Sequence, residues 1–178
     1  MKPISKLISR YLLFSISLLT TSFLFTSCEL NDERVGGFPP EGQIWVEVEN
    51  QDYTFSDPSG TIPSLLNTYS EVAGSLSIYR STTSNSTVIS NFRVLLTRFD
   101  FDNTTPRKLD KENVRLEFSQ GNITYIGAAD KGDVQFEILS IENDVMKANF
   151  SGTLEHRENP NQQIRIRNGA LHIKVRRE

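Results

Sequence analysis

Val134-Gln-Phe-Glu-Ile138 runs through Ile141 into Glu142-Asn143-Asp144 and out again as Met146-Lys-Ala-Asn-Phe-Ser-Gly-Thr-Leu154. Val134, Phe136 and Ile138, then Met146, Ala148, Phe150 and Leu154, fall on every second position with polar or small residues between them. A period of two is the signature of a strand with one buried face. The Asn-Asp pair between the runs supplies side chains that tolerate a turn, so the stretch predicts an antiparallel hairpin.

The same alternation extends in both directions. Toward the C-terminus, Ile164 and Ile166 precede Asn168-Gly169, and Leu171, Ile173 and Val175 follow. Arg165–Arg177 otherwise alternates without a break, so Gly169 is expected to mark a bulge inside one strand rather than a turn. Toward the N-terminus, Ile123 and Tyr125 form a short strand before Lys131-Gly132-Asp133. Val114, Leu116 and Phe118 make another, ending at Gly121-Asn122. Val88–Phe101 reads as one long strand with apolar residues on both parities. Leu76 with Ile78 mark a further strand, and so do Ile44, Val46 and Val48. Tyr53 and Phe55 follow a turn expected at Asn50-Gln51-Asp52. Only Pro63–Ala73 has a spacing that admits a turn or two of helix, with a loop as the alternative. About nine strands with little helix predict an all-β fold, an antiparallel β-sandwich or a flattened barrel.

The chain has 178 residues and a formal net charge of −3. That length suits one modest domain, and the acidic balance argues against a nucleic-acid binder. Lys2, Lys6 and Arg10 stand in the first 27 residues with no acidic partner. Behind them, Tyr11–Phe25 is apolar apart from small hydroxyl residues. As a helix this run reaches about 22 Å, short of a hydrocarbon core of roughly 30 Å. A basic front, a short apolar run and small residues behind it are the marks of an export signal. The organisation expected is a signal peptide over 1–27, a flexible acidic, Gly- and Pro-containing tether over 28–42, and an all-β domain over 43–178.

Cys28 is the single cysteine and cannot form an internal disulfide. Leu24-Phe25-Thr26-Ser27-Cys28 resembles the lipobox of bacterial lipoproteins, with Phe25 where Leu is usual. The resemblance implies cleavage before Cys28 and acylation of its thiol, with fatty acids such as palmitate holding the protein to a membrane. An ordinary cleaved signal, or one uncleaved anchor, is the competing reading. Glu29, Asp32 and Glu33 follow directly and resemble the signal that routes lipoproteins of Bacteroidetes to the cell surface. Ile44-Trp45-Val46, Ser75–Ile78, Phe150–Leu154 and Ile164–Leu171 together resemble the small lipoproteins common in that group. The resemblance implies an outer-membrane location, leaning to surface exposure with the periplasmic side still open. It brings no activity and no catalytic residues.

Chemistry is scarce. His156 and His172 lie in no nucleophile motif, and two scattered histidines do not supply a zinc site. Asp100-Phe-Asp-Asn103 and Asp130-Lys-Gly-Asp133 place carboxylates in turns, but neither matches an EF-hand loop, so no metal or cofactor is expected. Glu47, Glu117, Asp133 and Glu137 are candidates for a hydrolytic carboxylate pair only if the topology brings two together. Arg165, Arg167, His172, Lys174 and Arg176 form a positive stripe along the last strand, suited to an anionic partner, or to a wet face or protected edge. Trp45, Tyr53, Tyr79 and Tyr125, with Tyr69, are candidates for stacking a glycan, against a role in core packing. These features predict a lipid-anchored envelope module that binds a glycan or a protein partner without catalysis. A glycan hydrolase and a structural accessory subunit of an outer-membrane assembly are the alternatives. Oligomeric state is not legible.

Overall fold

The structure is a computed structural model that describes residues 37–57, 67–84 and 87–178. The signal segment, Cys28, the acidic residues behind it and the first part of Pro63–Ala73 lie outside the described residues. The domain extends over Phe38–Glu178. It therefore starts five residues before Gln43, and Phe38–Gly42, assigned from sequence to the tether, belong to it.

Twelve strands form one mixed sheet. They are β1 (Gln43–Val48), β2 (Gln51–Phe55), β3 (Asn67–Ser70), β4 (Ser75–Ser84), β5 (Thr87–Leu96) and β6 (Arg107–Leu109). After them come β7 (Val114–Gln120), β8 (Ile123–Gly127), β9 (Asp133–Glu142), β10 (Val145–His156), β11 (Gln163–Lys174) and β12 (Arg176–Arg177). One 3-10 turn, Lys111–Asn113, is the only helix among the described residues. The pairing order is β12-β3-β4-β5-β7-β8-β10-β11-β1-β2, with β9 on β10 and β6 on β9. All ladders are antiparallel except β12 with β3.

β10 carries the sheet from one half to the other. Val145–Thr153 pairs with β9, whereas Glu155 and His156 pair with Ile126 and Tyr125 on β8. The inner faces of the two halves meet in one core. Phe92 on β5 stacks on Phe150 of β10 at 5.2 Å, and Phe55 on β2 approaches Phe92 at 5.6 Å and Phe118 of β7 at 6.3 Å. One end of the order, just after β2, meets β4 at a single bridge, Ser56 with Ser81, made of two backbone hydrogen bonds of 3.0 and 2.9 Å. Two bonds are not a ladder, so the sheet is not closed and the barrel alternative is set aside.

The expected hairpin is β9–β10, turning through Asn143 and Asp144, both at positive φ. The bulge at Asn168-Gly169 is also present. Across it the register of β11 shifts by one residue against both β10 and β1, with Asn168 at φ 50°. Gly169 lies under Phe150, whose ring a Cβ there would meet at 2.4 Å.

Four expectations give way. The first turn is Glu49-Asn50, both left-handed, so Gln51 and Asp52 belong to β2. Val88–Phe101 is not one strand: β5 ends at Leu96, Arg98 turns the chain at φ 49°, and Phe99 and Phe101 reach the core from a loop. Asn67–Ser70 is strand rather than helix, followed by a turn over Glu71–Gly74. Finally, the nine expected strands become twelve. The three unread ones, β3, β6 and β12, are short and poor in apolar residues, and are held by their neighbours' backbones.

Candidate binding face

On β1, Ile44, Val46 and Val48 point into the core, which turns Gln43, Trp45 and Glu47 outward. Trp45 is half-buried and stands directly across from Thr54 on β2 and Ala170 on β11. Ala170 in turn faces Asn149 on β10. These four residues form one uncharged row across four strands, about 14 Å long at the usual strand spacing.

The row has a border on each side. On one, Arg167 Nη1 lies 3.7 Å from Glu47 Oε1, and Asn168 Nδ2 donates to Glu47 Oε2 at 3.1 Å. On the other stand Lys147, His172 and Gln43, one cross-strand row away. The segment before β1 folds over that side. Pro39 is buried, His172 Nδ1 lies 2.9 Å from the Pro39 carbonyl oxygen, and Lys147 Nζ sits 5.9 Å from the centre of the Phe38 ring. A carbonyl only accepts, so His172 carries its proton on Nδ1 and donates it there.

Arg165, Arg167, His172 and Lys174 do share the outward face of β11. The bulge makes this possible: its extra residue reverses parity, so odd-numbered arginines and even-numbered His172 and Lys174 emerge on the same side. Arg176 is the exception, lying in β12 beside Thr68 of β3. The edge-protection reading also falls, because β11 is flanked by β10 and β1 along its length.

The stripe's charge is matched by its neighbours. Lys108, Lys147, Arg165, Arg167 and Lys174 on this side face Glu47, Glu49 and Asp52 along β1–β2, and Asp133, Glu137 and Glu142 along β9. Glu49 even accepts the backbone N–H of Arg165. Opposite charges on adjacent strands stabilise a sheet surface, and here they bring the face close to neutrality.

The four candidate stacking residues do not form one platform. Tyr53 is in register with inward-facing Val46, so it packs on Phe55 at 5.7 Å and Phe118 at 5.4 Å. Tyr125 packs against the core and meets His156 edge-on at 5.4 Å. Tyr79 lies on the other half of the sheet, where its hydroxyl donates to Asn91 Oδ1 and burial raises its pKa. Tyr69 is buried, donating to the Phe99 carbonyl at 3.1 Å. Trp45 alone remains on the β11 face.

Among the described residues, the candidate acid–base groups are held apart from one another. His156 Nδ1 accepts two loop N–H groups, from Glu158 and Asn159, each at 3.1 Å. Glu117 is held by Arg115 at 2.7 Å on one half of the sheet, and Glu47 by Arg167 on the other. In Asp100–Asn103 several of the oxygens already accept hydrogen bonds. Arg107 donates to the carbonyls of Asp100 and Asn103, and Arg177 holds the Asp102 carboxylate at 2.7 Å. Among the described residues no group of three His, Cys, Asp or Glu is placed to hold a metal.

Two features escape sequence reading. Asn149, Ala170 and Thr54 join Trp45 only through strand register. Arg80 is 1% exposed on the inward side of β4, held by the Gly42 carbonyl, Asn67 Oδ1 and Asp57 at 2.6, 2.6 and 3.1 Å. Its place after Leu76 and Ile78 on the same parity was the available signal. No family model, curated protein or solved structure matches this chain.

Proposed function

We propose that this protein is a lipid-anchored binding module of the bacterial envelope, without catalysis of its own, that takes its ligand on the outward face of β10, β11, β1 and β2. One observation carries the reading: Trp45 lies in an uncharged row bordered by hydrogen-bonding side chains on a face made entirely of strands. Strands hold such groups more rigidly than loops do, which lowers the entropy lost on binding. An indole presents a flat apolar surface to the C–H face of a sugar ring, while Asn149, Thr54, Glu47 and Arg167 supply donors and acceptors at its rim. The folded-over sheet is read as a β-sandwich, its two halves enclosing the phenylalanine core.

Location follows from the lipobox-like segment ending at Cys28. Two or three acyl chains on that residue, at about 0.8 kcal/mol per buried methylene, anchor a protein durably. An outer-membrane site with the domain facing outward fits the acidic residues after it.

Two measurements test this. Mass spectrometry of the native protein should find an N-terminus at Cys28 bearing acyl mass; an intact leader, or an unmodified terminus, removes the anchor. Incubation with envelope polysaccharide should shift Trp45 emission and release no new reducing ends. Sustained release would replace the binding module by the hydrolase.

A further inference from the structure

Resting on the binding-face reading, we infer that the ligand of the Trp45 row is a neutral glycan rather than an acidic one. The stripe on β11 looks suited to an anion only while it is viewed as an isolated strand. In the sheet, the Arg167 side chain is paired with a carboxylate on β1, and acidic residues on β1, β2 and β9 flank the rest of the stripe. Arg167 lies against Glu47, and the Arg165 backbone is held by the Glu49 carboxylate. An incoming carboxylate or phosphate at Arg167 would have to displace the Glu47 carboxylate already in place. It would also approach the acidic column on β9, where like charges repel it.

The row itself carries no charge. Asn149 and Thr54 both donate and accept, as sugar hydroxyls do, so each can satisfy a hydroxyl in either role. Ala170, with only a methyl side chain, stands across from Trp45 on the β11 side. Arg167 and Glu47 together offer a donor and an acceptor at one border, a pair that neighbouring hydroxyls of a pyranose can bridge without any net charge.

Trp45 is the only tryptophan, so its emission reports on this row alone. The full processed protein, in a detergent without a sugar headgroup, is titrated with a panel of neutral oligosaccharides (glucan, xylan and mannan series) and with oligogalacturonate. Each titration is run at about 20 mM and about 500 mM NaCl, where screening differs strongly. Neutral members should shift the emission, with dissociation constants changing less than about twofold between the two salts. By calorimetry, Trp45→Ala should weaken binding about tenfold, whereas Trp45→Phe retains a ring and most of the affinity. The double substitution Arg165→Gln with Lys174→Gln should leave it unchanged. Preferential binding of oligogalacturonate that fades with salt overturns the neutral-ligand inference and leaves the face standing. Silence from both classes overturns the face itself.

Discussion

Arginine does different work in two regions of this molecule. On the β11 face, Arg167 stands on a strand, half-exposed, with Glu47 beside it on the next strand at 3.7 Å. Elsewhere, arginines gather segments from different parts of the sheet and its loops. Arg80 links β4 to Gly42, Asn67 and Asp57 from inside the protein, and its burial lowers its pKa against the pull of Asp57. Arg177 on β12 reaches Asp102, Asp144 and, at 3.8 Å, Glu71, while covering the Phe101 ring. The hydrogen bonds it donates to the Asp102 and Asp144 carboxylates raise its pKa. Charges on a sheet surface neutralise one another and leave a face available. Arg80 and Arg177 instead tie strands to loop and turn segments beyond their own ladders.

The comparison has consequences that can be ranked by stability. The largest concerns the ladder beneath the face. Gly152 has φ +149°, and a Cβ there would lie 2.1 Å from the Asp133 carbonyl oxygen. Gly152→Ala should destabilise the protein by about 3–4 kcal/mol in urea unfolding, since β9 and β10 must separate to admit the methyl. A loss below about 1 kcal/mol would mean that the ladder yields easily and is no rigid base for a binding face.

Next comes Arg80→Met, which removes the internal tie while keeping volume. Asn67 and the Gly42 carbonyl lose their donor, but Asp57 is open to water, so a loss of about 2–3 kcal/mol is expected by the same measurement. Arg167→Gln, by contrast, removes one surface pair and should cost at most about 1 kcal/mol. Equal losses for the two arginine variants would erase the distinction between the regions.

The smallest effect is on pH. Burial raises the Tyr79 pKa above the ordinary tyrosine value of 10.0, so folding favours the protonated phenol. Its contribution to stability is complete below pH 10 and is lost as pH rises through the folded value. Tyr79→Phe should flatten the alkaline decline in stability; an unchanged slope assigns that decline to other groups.

Legibility divides along the same line as the arginines. The strands of the β11 face were readable because alternation alone places Ile44, Phe136, Phe150 and Leu171 inside. The bulge was readable because strand-like alternation continues through Arg165–Arg177 on both sides of Asn168-Gly169; the change of parity across it emerges only in the register. The first turn was misplaced because Glu49, at φ 49°, is not a residue whose side chain announces a left-handed backbone. Phe99 and Phe101 extend an apolar pattern past the true end of β5, since a loop that folds inward leaves the same apolar signature as a strand. The binding row was half visible. Trp45 stood out by type, but its neighbours belong to three other strands and depend on register, which β1 fixes against β11 only through the bulge. Tyr53 and Tyr125 fall to the core-packing alternative, and sequence leaves the two open for the converse reason: an aromatic at a strand's inward position is indistinguishable by type from one that faces water.

The most direct test of the account is acrylamide quenching of Trp45 in the processed protein, with and without a bound envelope polysaccharide. Ligand seated on the row should shield the indole and lower the quenching constant in step with occupancy. Binding that saturates while quenching stays unchanged would place the ligand elsewhere and contradict the assignment of this face.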